Sequence, residues 1–196
     1  LLLNKKYIRF SSTLGLIGLI LGLITSLLLK SLTITQWIPK IPDVSTTILN
    51  LAALFSLLYG NSSVLITLHK LSKVYGNRNI WTNALYSLVI AAVGSIALVL
   101  IAYLIYTMLL VSIDSKIIII IILIFFLTLF YIIILISVKF MRNAYNELSK
   151  SSGIIDFNLA ARWYWLGAIL FIVGLALMIV ATIYAILGYN KLRKLA

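Results

Sequence analysis

The sequence predicts an all-α integral membrane protein with about five transmembrane helices, and three observations carry that reading. Hydrophobic residues make up 63% of the 196 and charged residues only 10%, whereas a soluble domain carries roughly a quarter charged residues. The apolar runs are continuous rather than alternating, which excludes a barrel. Their lengths suit a hydrocarbon core about 30 Å thick, which one helix crosses in roughly 20 residues. Polar residues are gathered into a few connectors, two of them long: His69 to Tyr86 and Leu148 to Trp163.

The spans are expected at residues 12–29, 47–68, 84–111, 117–138 and 162–187, in a single transmembrane domain. The chain begins with Leu. Either a leader is missing or the start lies upstream, and the first apolar run reads as a retained span because no small-residue cleavage site follows it. Gly15, Gly18 and Gly22 give span 1 a small-residue face for close helix packing. Pro39 and Pro42, with Trp37 and Asp43, mark an interfacial loop. Span 2 carries Gly60-Asn61-Ser62-Ser63. Asn61 is expected to face other helices, because an unpaired amide in hydrocarbon is costly. Asp114-Ser115-Lys116 is a short turn that makes spans 3 and 4 an antiparallel hairpin.

Span 4 is almost solid Ile, Leu and Phe and is the best candidate for the most lipid-exposed helix. Nothing breaks it before Gly153, so it is expected to continue to about residue 149, well beyond the hydrocarbon. Span 5 is anchored by Trp163, Tyr164 and Trp165 and carries Gly167 and Gly174 on a small-residue stripe.

The two long connectors resemble each other. Leu71-Ser72-Lys73 matches Leu148-Ser149-Lys150, Gly76 matches Gly153, and Ala84 matches Ala161. Each follows one apolar helix and launches another, the pattern of a parallel helix–connector–helix repeat. The glycines are expected to close the preceding helices. Asn79, Asn83, Asp156 and Asn158 are candidate N-caps for the returning ones.

Lys and Arg number 16 against four Asp and Glu. With five spans, ten of these cations lie on the side of the amino terminus and the connectors and six on the other. That balance favours a cytoplasmic amino terminus, with the basic tail in disagreement. The excess charge reads as juxtamembrane and lipid-facing. A nucleic-acid role is excluded, since no soluble basic module with stacking aromatics is present.

The connectors also carry a family resemblance. Tyr75-Gly76-Asn77-Arg78-Asn79-Ile80-Trp81-Thr82-Asn83-Ala84-Leu85-Tyr86 and Glu147-Leu148-Ser149-Lys150-Ser151-Ser152-Gly153-Ile154-Ile155-Asp156-Phe157 resemble segments of an archaeal family of multi-span membrane proteins of unknown function (domain of unknown function nine-nine-six). Two departures stand out: Asn77 occupies a position where that family often has Asp, and no zinc ribbon follows Leu195. The resemblance implies a multi-pass cell-membrane protein and supplies no activity.

The residues offer little chemistry. One His, no Cys and four scattered acids give no metal-ligand cluster. No phosphate-binding glycine loop occurs, and no ionisable residue sits inside a span to relay protons. No catalytic, cofactor or metal residue is assigned, and no enzyme activity is expected. The first expectation is an accessory or scaffolding subunit of a larger membrane complex, a respiratory one being one such setting. Its partners would be membrane lipids and other integral membrane subunits. The alternative is a small passive permease or channel, with Asn61 on its path. The candidate partner or lipid contacts are Tyr75, Arg78, Trp81, Arg142, Glu147, Lys150 and Asp156. The candidate helix-packing residues are Gly15, Gly18, Gly22, Asn61, Gly167 and Gly174.

Overall fold

The computed structural model describes residues 2–35, 44–110, 116–170 and 174–196. Among the described residues the chain forms six α-helices and no strand: α1 (Leu2–Thr35), α2 (Val44–Val74), α3 (Arg78–Leu110), α4 (Lys116–Ser152), α5 (Ile155–Ile169) and α6 (Gly174–Leu195). Long proline-free runs of Leu, Ile and Ala favour this outcome, and a helix satisfies its own backbone in lipid. Among the described residues, three segments are long and apolar enough to cross a membrane: Lys5–Ile24, Arg78–Ala97 and Ile120–Ser152. They lie in α1, α3 and α4. The Pro39–Pro42 loop and the Asp114 turn lie outside the described residues.

Helices pack in chain order, α1 on α2 through to α5 on α6, and α6 returns to α1. On α1 and α2 the backbones nearly touch. A Cβ on Gly60 would lie 2.8 Å from Gly18 O and 3.2 Å from Gly22 N. Thr67 Oγ1 donates across to Ser11 O at 3.0 Å. Gly15 faces Thr67 and Tyr189, so it sits where α1, α2 and α6 meet. Asn61 does not take part: it is exposed, and Ser63 is the buried polar residue of its patch. Each residue rotates a helix by about 100°, so the ridge that puts Gly60, Ser63 and Thr67 against α1 turns Asn61 away.

Between α3 and α4, Ser137 Oγ donates to Ser87 O at 3.0 Å and lies 3.2 Å from Ser87 Oγ. Helix α4 runs unbroken for 37 residues, about 55 Å, so the expected extension beyond the apolar run is present. From Ile120 to Val138 none of the described side chains of α4 is buried inside the protein, which fits its expected lipid exposure.

The expected fifth span from 162 to 187 is not one helix. Helix α5 ends at Ile169 and α6 starts at Gly174. The two pack antiparallel, as a ladder of contacts shows: Asp156 with Lys191, Phe157 with Tyr189, Tyr164 with Thr182, and Gly167 with Gly174. Gly167 and Gly174 lack the side chains that would hold the two backbones apart, so they pack where the hairpin is tightest. Tyr131 of α4 donates its hydroxyl to Ile169 O at 2.9 Å, satisfying a carbonyl at the end of α5.

Candidate interaction head

One end of the bundle gathers the start of α1, the end of α2, the start of α3, the end of α4, the start of α5 and the end of α6. The best-packed core of the described residues is here: Leu68, Leu71, Ile80, Tyr145, Leu148, Phe157 and Tyr189 are essentially inaccessible. Tyr145 stacks on Tyr164 and Phe157 at centroid distances of 5.7 and 6.1 Å, and Phe157 meets Tyr189 edge-on at 5.1 Å. Burial raises the pKa of both the Tyr145 and Tyr189 phenols, so both are neutral packing groups at physiological pH.

Both connectors turn on a left-handed glycine, Gly76 at φ 64° and Gly153 at φ 73°. Gly76 N donates to Lys73 O and Gly153 N to Ser149 O, closing α2 and α4. The matched glycines therefore do matched work. The N-caps differ from expectation. Asn77 caps α3, its Oδ1 accepting from Asn79 N at 3.1 Å. Helix α5 starts after Ile154 with no side-chain cap, and Ser152 Oγ accepts from Ile154 N instead. The repeat weakens past the connectors, since α3 has 33 residues and α5 only 15.

The two connectors meet. Asn77 Nδ2 donates to Glu147 Oε2 at 3.1 Å and to Ser151 Oγ at 3.0 Å. Glu147 also takes Lys150 Nζ at 2.7 Å. The Lys150 hydrogen bond, then that of Asn77, lowers the Glu147 carboxyl below its ordinary range. Asp156 is buried and joined to Lys191 Nζ at 2.7 Å. Trp81 packs edge-on against His69, 4.5 Å between centroids. Arg142 lies 5.4 Å over the Trp165 ring, and Lys70 lies 4.5 Å over that of Phe10.

Both connectors lie within residues 56–183, which match the family described as Protein of unknown function (DUF996). The chain belongs to that family. The DUF996 match starts within α2 and ends within α6, so it takes in both connectors and the whole of α3, α4 and α5. No curated protein and no solved structure matches the chain.

Set on this DUF996 scaffold, the sequence candidates scatter over the head. Glu147 and Lys150 come together with Asn77, Asp156 goes to the tail, and Arg142 lies on the α4–α5 seam. Tyr75 is half-buried against the core, while Arg78 is exposed. Three participants had no sequence signal of their own. Asn77 acts through residues 70 and 74 positions away. Lys191 stands in the tail that a straight fifth span sends to the opposite side. The Tyr145–Phe157–Tyr189 stack draws on three helices. Among the described residues no group of three or more His, Cys, Asp or Glu could hold a metal ion. The described contacts are those of a packed head rich in basic residues.

Proposed function

We propose that this DUF996 protein is a non-catalytic accessory or scaffolding subunit of a larger archaeal membrane complex. The observation that carries the reading is the division of the molecule into a tightly packed polar head and a stem with large apolar side chains turned outward. Val93, Ile96, Leu100 and Tyr103 on α3 and Ile121 and Phe125 on α4 are all more than half exposed. In a bilayer such a face meets lipid or the helices of another subunit. The alternative reading is a small passive permease or channel with the exposed Asn61 on its path.

The α5–α6 hairpin also supports a cytoplasmic head. It returns the tail to the end that holds the connectors, so Lys191, Arg193 and Lys194 join the other basic residues there. Among the cations of the described residues, Lys30 and Lys116 are then left for the opposite side. With the charges counted this way, the tail agrees with the loops, which supports a cytoplasmic amino terminus for this multi-pass protein.

Extraction of the tagged chain in mild detergent, followed by mass spectrometry of whatever copurifies, tests the assignment. Other integral membrane chains are expected in stoichiometric amounts. A stable, solitary monomer would sink the accessory-subunit reading.

A further inference from the structure

An open groove of about 370 Å³ lies at the far end of the head, between the second connector and the tail. Gly153, Ile155 and Asp156 line it from the connector, and Lys191, Lys194 and Leu195 from the tail. Two of these are large apolar side chains turned outward: Ile155 and Leu195 are each 69% exposed. Single exposed apolar residues are ordinary on a protein surface. Here two of them, from distant parts of the chain, flank one cavity. The apolar run of α4 ends at Val138. From there the helix and its turn carry Gly153 about 22 Å further, at 1.5 Å per residue. The headgroup layer extends only roughly 5–7 Å past the hydrocarbon. The groove therefore opens in water, where no acyl chain covers Ile155 and Leu195, and such a patch marks a contact site.

The charge around the groove indicates the kind of partner. Asp156 is buried and joined to Lys191 at 2.7 Å, so those two charges offset each other. Lys194 is exposed and has no ion pair among the described residues. Arg193 beside it is exposed too, and its guanidinium donates to the neutral Asn190 side chain. The other acid of the head among the described residues, Glu147, holds Lys150. The uncompensated charge at the groove is thus positive, and a complementary surface is acidic. A free inorganic anion would leave both apolar side chains uncovered. A nucleic acid would find no aromatic among the lining residues on which to stack.

We infer that this groove docks an acidic segment of a partner protein. One large apolar side chain of the segment seats between Ile155 and Leu195, and a neighbouring carboxylate pairs with Lys194. The inference deepens the accessory-subunit reading, on which it rests for the existence of a partner. It names the chemistry of the contact and places it in the aqueous phase rather than among the membrane helices.

The test pans the full chain, purified in detergent, against a random-sequence peptide library displayed on phage. Enriched peptides are expected to carry Asp or Glu beside Leu, Ile, Phe or Trp. The best of them is then synthesised and its affinity measured by fluorescence anisotropy. Lys194→Glu should weaken it about tenfold and, when panned itself, should turn the selection to Lys or Arg beside the same apolar residues. Ile155→Ser should weaken it on the same order, through loss of the apolar seat. Lys73→Gln, an exposed cation on the other connector, should change nothing. Equal losses in Lys194→Glu and Lys73→Gln, or equal affinity for a peptide whose apolar residue is replaced by serine, would mean diffuse charge and overturn the groove. So would the absence of enrichment, or displacement of the peptide by a single-stranded oligonucleotide. Thermal melts establish that each variant folds, and Leu195→Ser replaces Ile155→Ser if that variant does not. A solitary chain that still selects such peptides would sink the accessory-subunit reading and keep the groove. Copurifying subunits without any peptide selection would do the reverse.

Discussion

Asn77 ties the head together from one position. Its carbonyl oxygen caps α3 while its amide nitrogen spans the gap to Glu147 and Ser151 at the end of α4. A carboxylate at this position could cap the helix equally well, but it has no donor for Glu147 and would set two negative groups side by side. The Asn is thus matched to Glu147, and Glu147 is matched to both its partners. This fixes a pH dependence. The folded-state pKa of Glu147 lies below its ordinary value of 4.5, so the unfolded chain binds the proton more readily. The stabilisation is fully present above about pH 4.5 and is lost as pH falls through the lower folded value. Lys150 is 72% exposed, so solvent screening holds its contribution under about 1 kcal/mol. Unfolding in detergent between pH 6 and pH 3 should show this loss, and Glu147→Gln should remove that part of the slope. An unchanged slope in the variant would assign the acid sensitivity to another group.

At the scale of the helix, the contact of α1 with α2 sets two similar glycines apart. A Cβ on Gly18 would clash with Ser63 and lie 2.7 Å from Gly60 O, whereas a Cβ on Gly22 would meet nothing within 4 Å. Gly18→Ala should therefore destabilise by about 1–3 kcal/mol through overpacking. Gly22→Ala should be neutral or stabilise by up to about 1 kcal/mol, because alanine favours the helix. Unfolding midpoints of the two variants in one detergent check the contrast, and equal effects would contradict the packing. The sequence displayed the small-residue face but not which glycine stands at the closest approach. It pointed to Asn61 rather than to Ser63, a near neighbour of similar polarity, because only the placement of α1 decides which of them is covered. Helix α4 was legible through its whole extension, since no glycine or proline precedes Gly153. The break between α5 and α6 was not. Its flanking residues are apolar and proline-free, and Gly167 and Gly174 read as an ordinary packing stripe. The hairpin depends on contacts far along the chain, including Gly167 against Gly174 and Tyr131 on Ile169, and these appear only once the helices are packed.

At the scale of the molecule, that hairpin changes the arrangement of charge across the membrane. A straight fifth span would carry the tail across the membrane and leave Lys191 far from Asp156, a buried carboxylate without its counter-ion, which is strongly unfavourable. Folding back joins the pair at 2.7 Å and sets Tyr189 against Phe157. The same turn moves three cations to the head, where the basic excess then agrees in sign along the amino-terminal segment, both connectors and the tail. Because the chain has no cysteine, single cysteines can report sidedness without background. Lys73→Cys on the first connector and Lys194→Cys in the tail should react with a membrane-impermeant maleimide only from the cytoplasmic face. Lys116→Cys at the start of α4 should react only from the opposite one. If Lys194→Cys instead labels together with Lys116→Cys, α6 crosses to the other side, and both the Asp156–Lys191 pair and the one-sided charge are lost in the membrane. Should all three follow the expected pattern, the head is a single cytoplasmic surface in which the ends of the chain and its two connectors act as one unit.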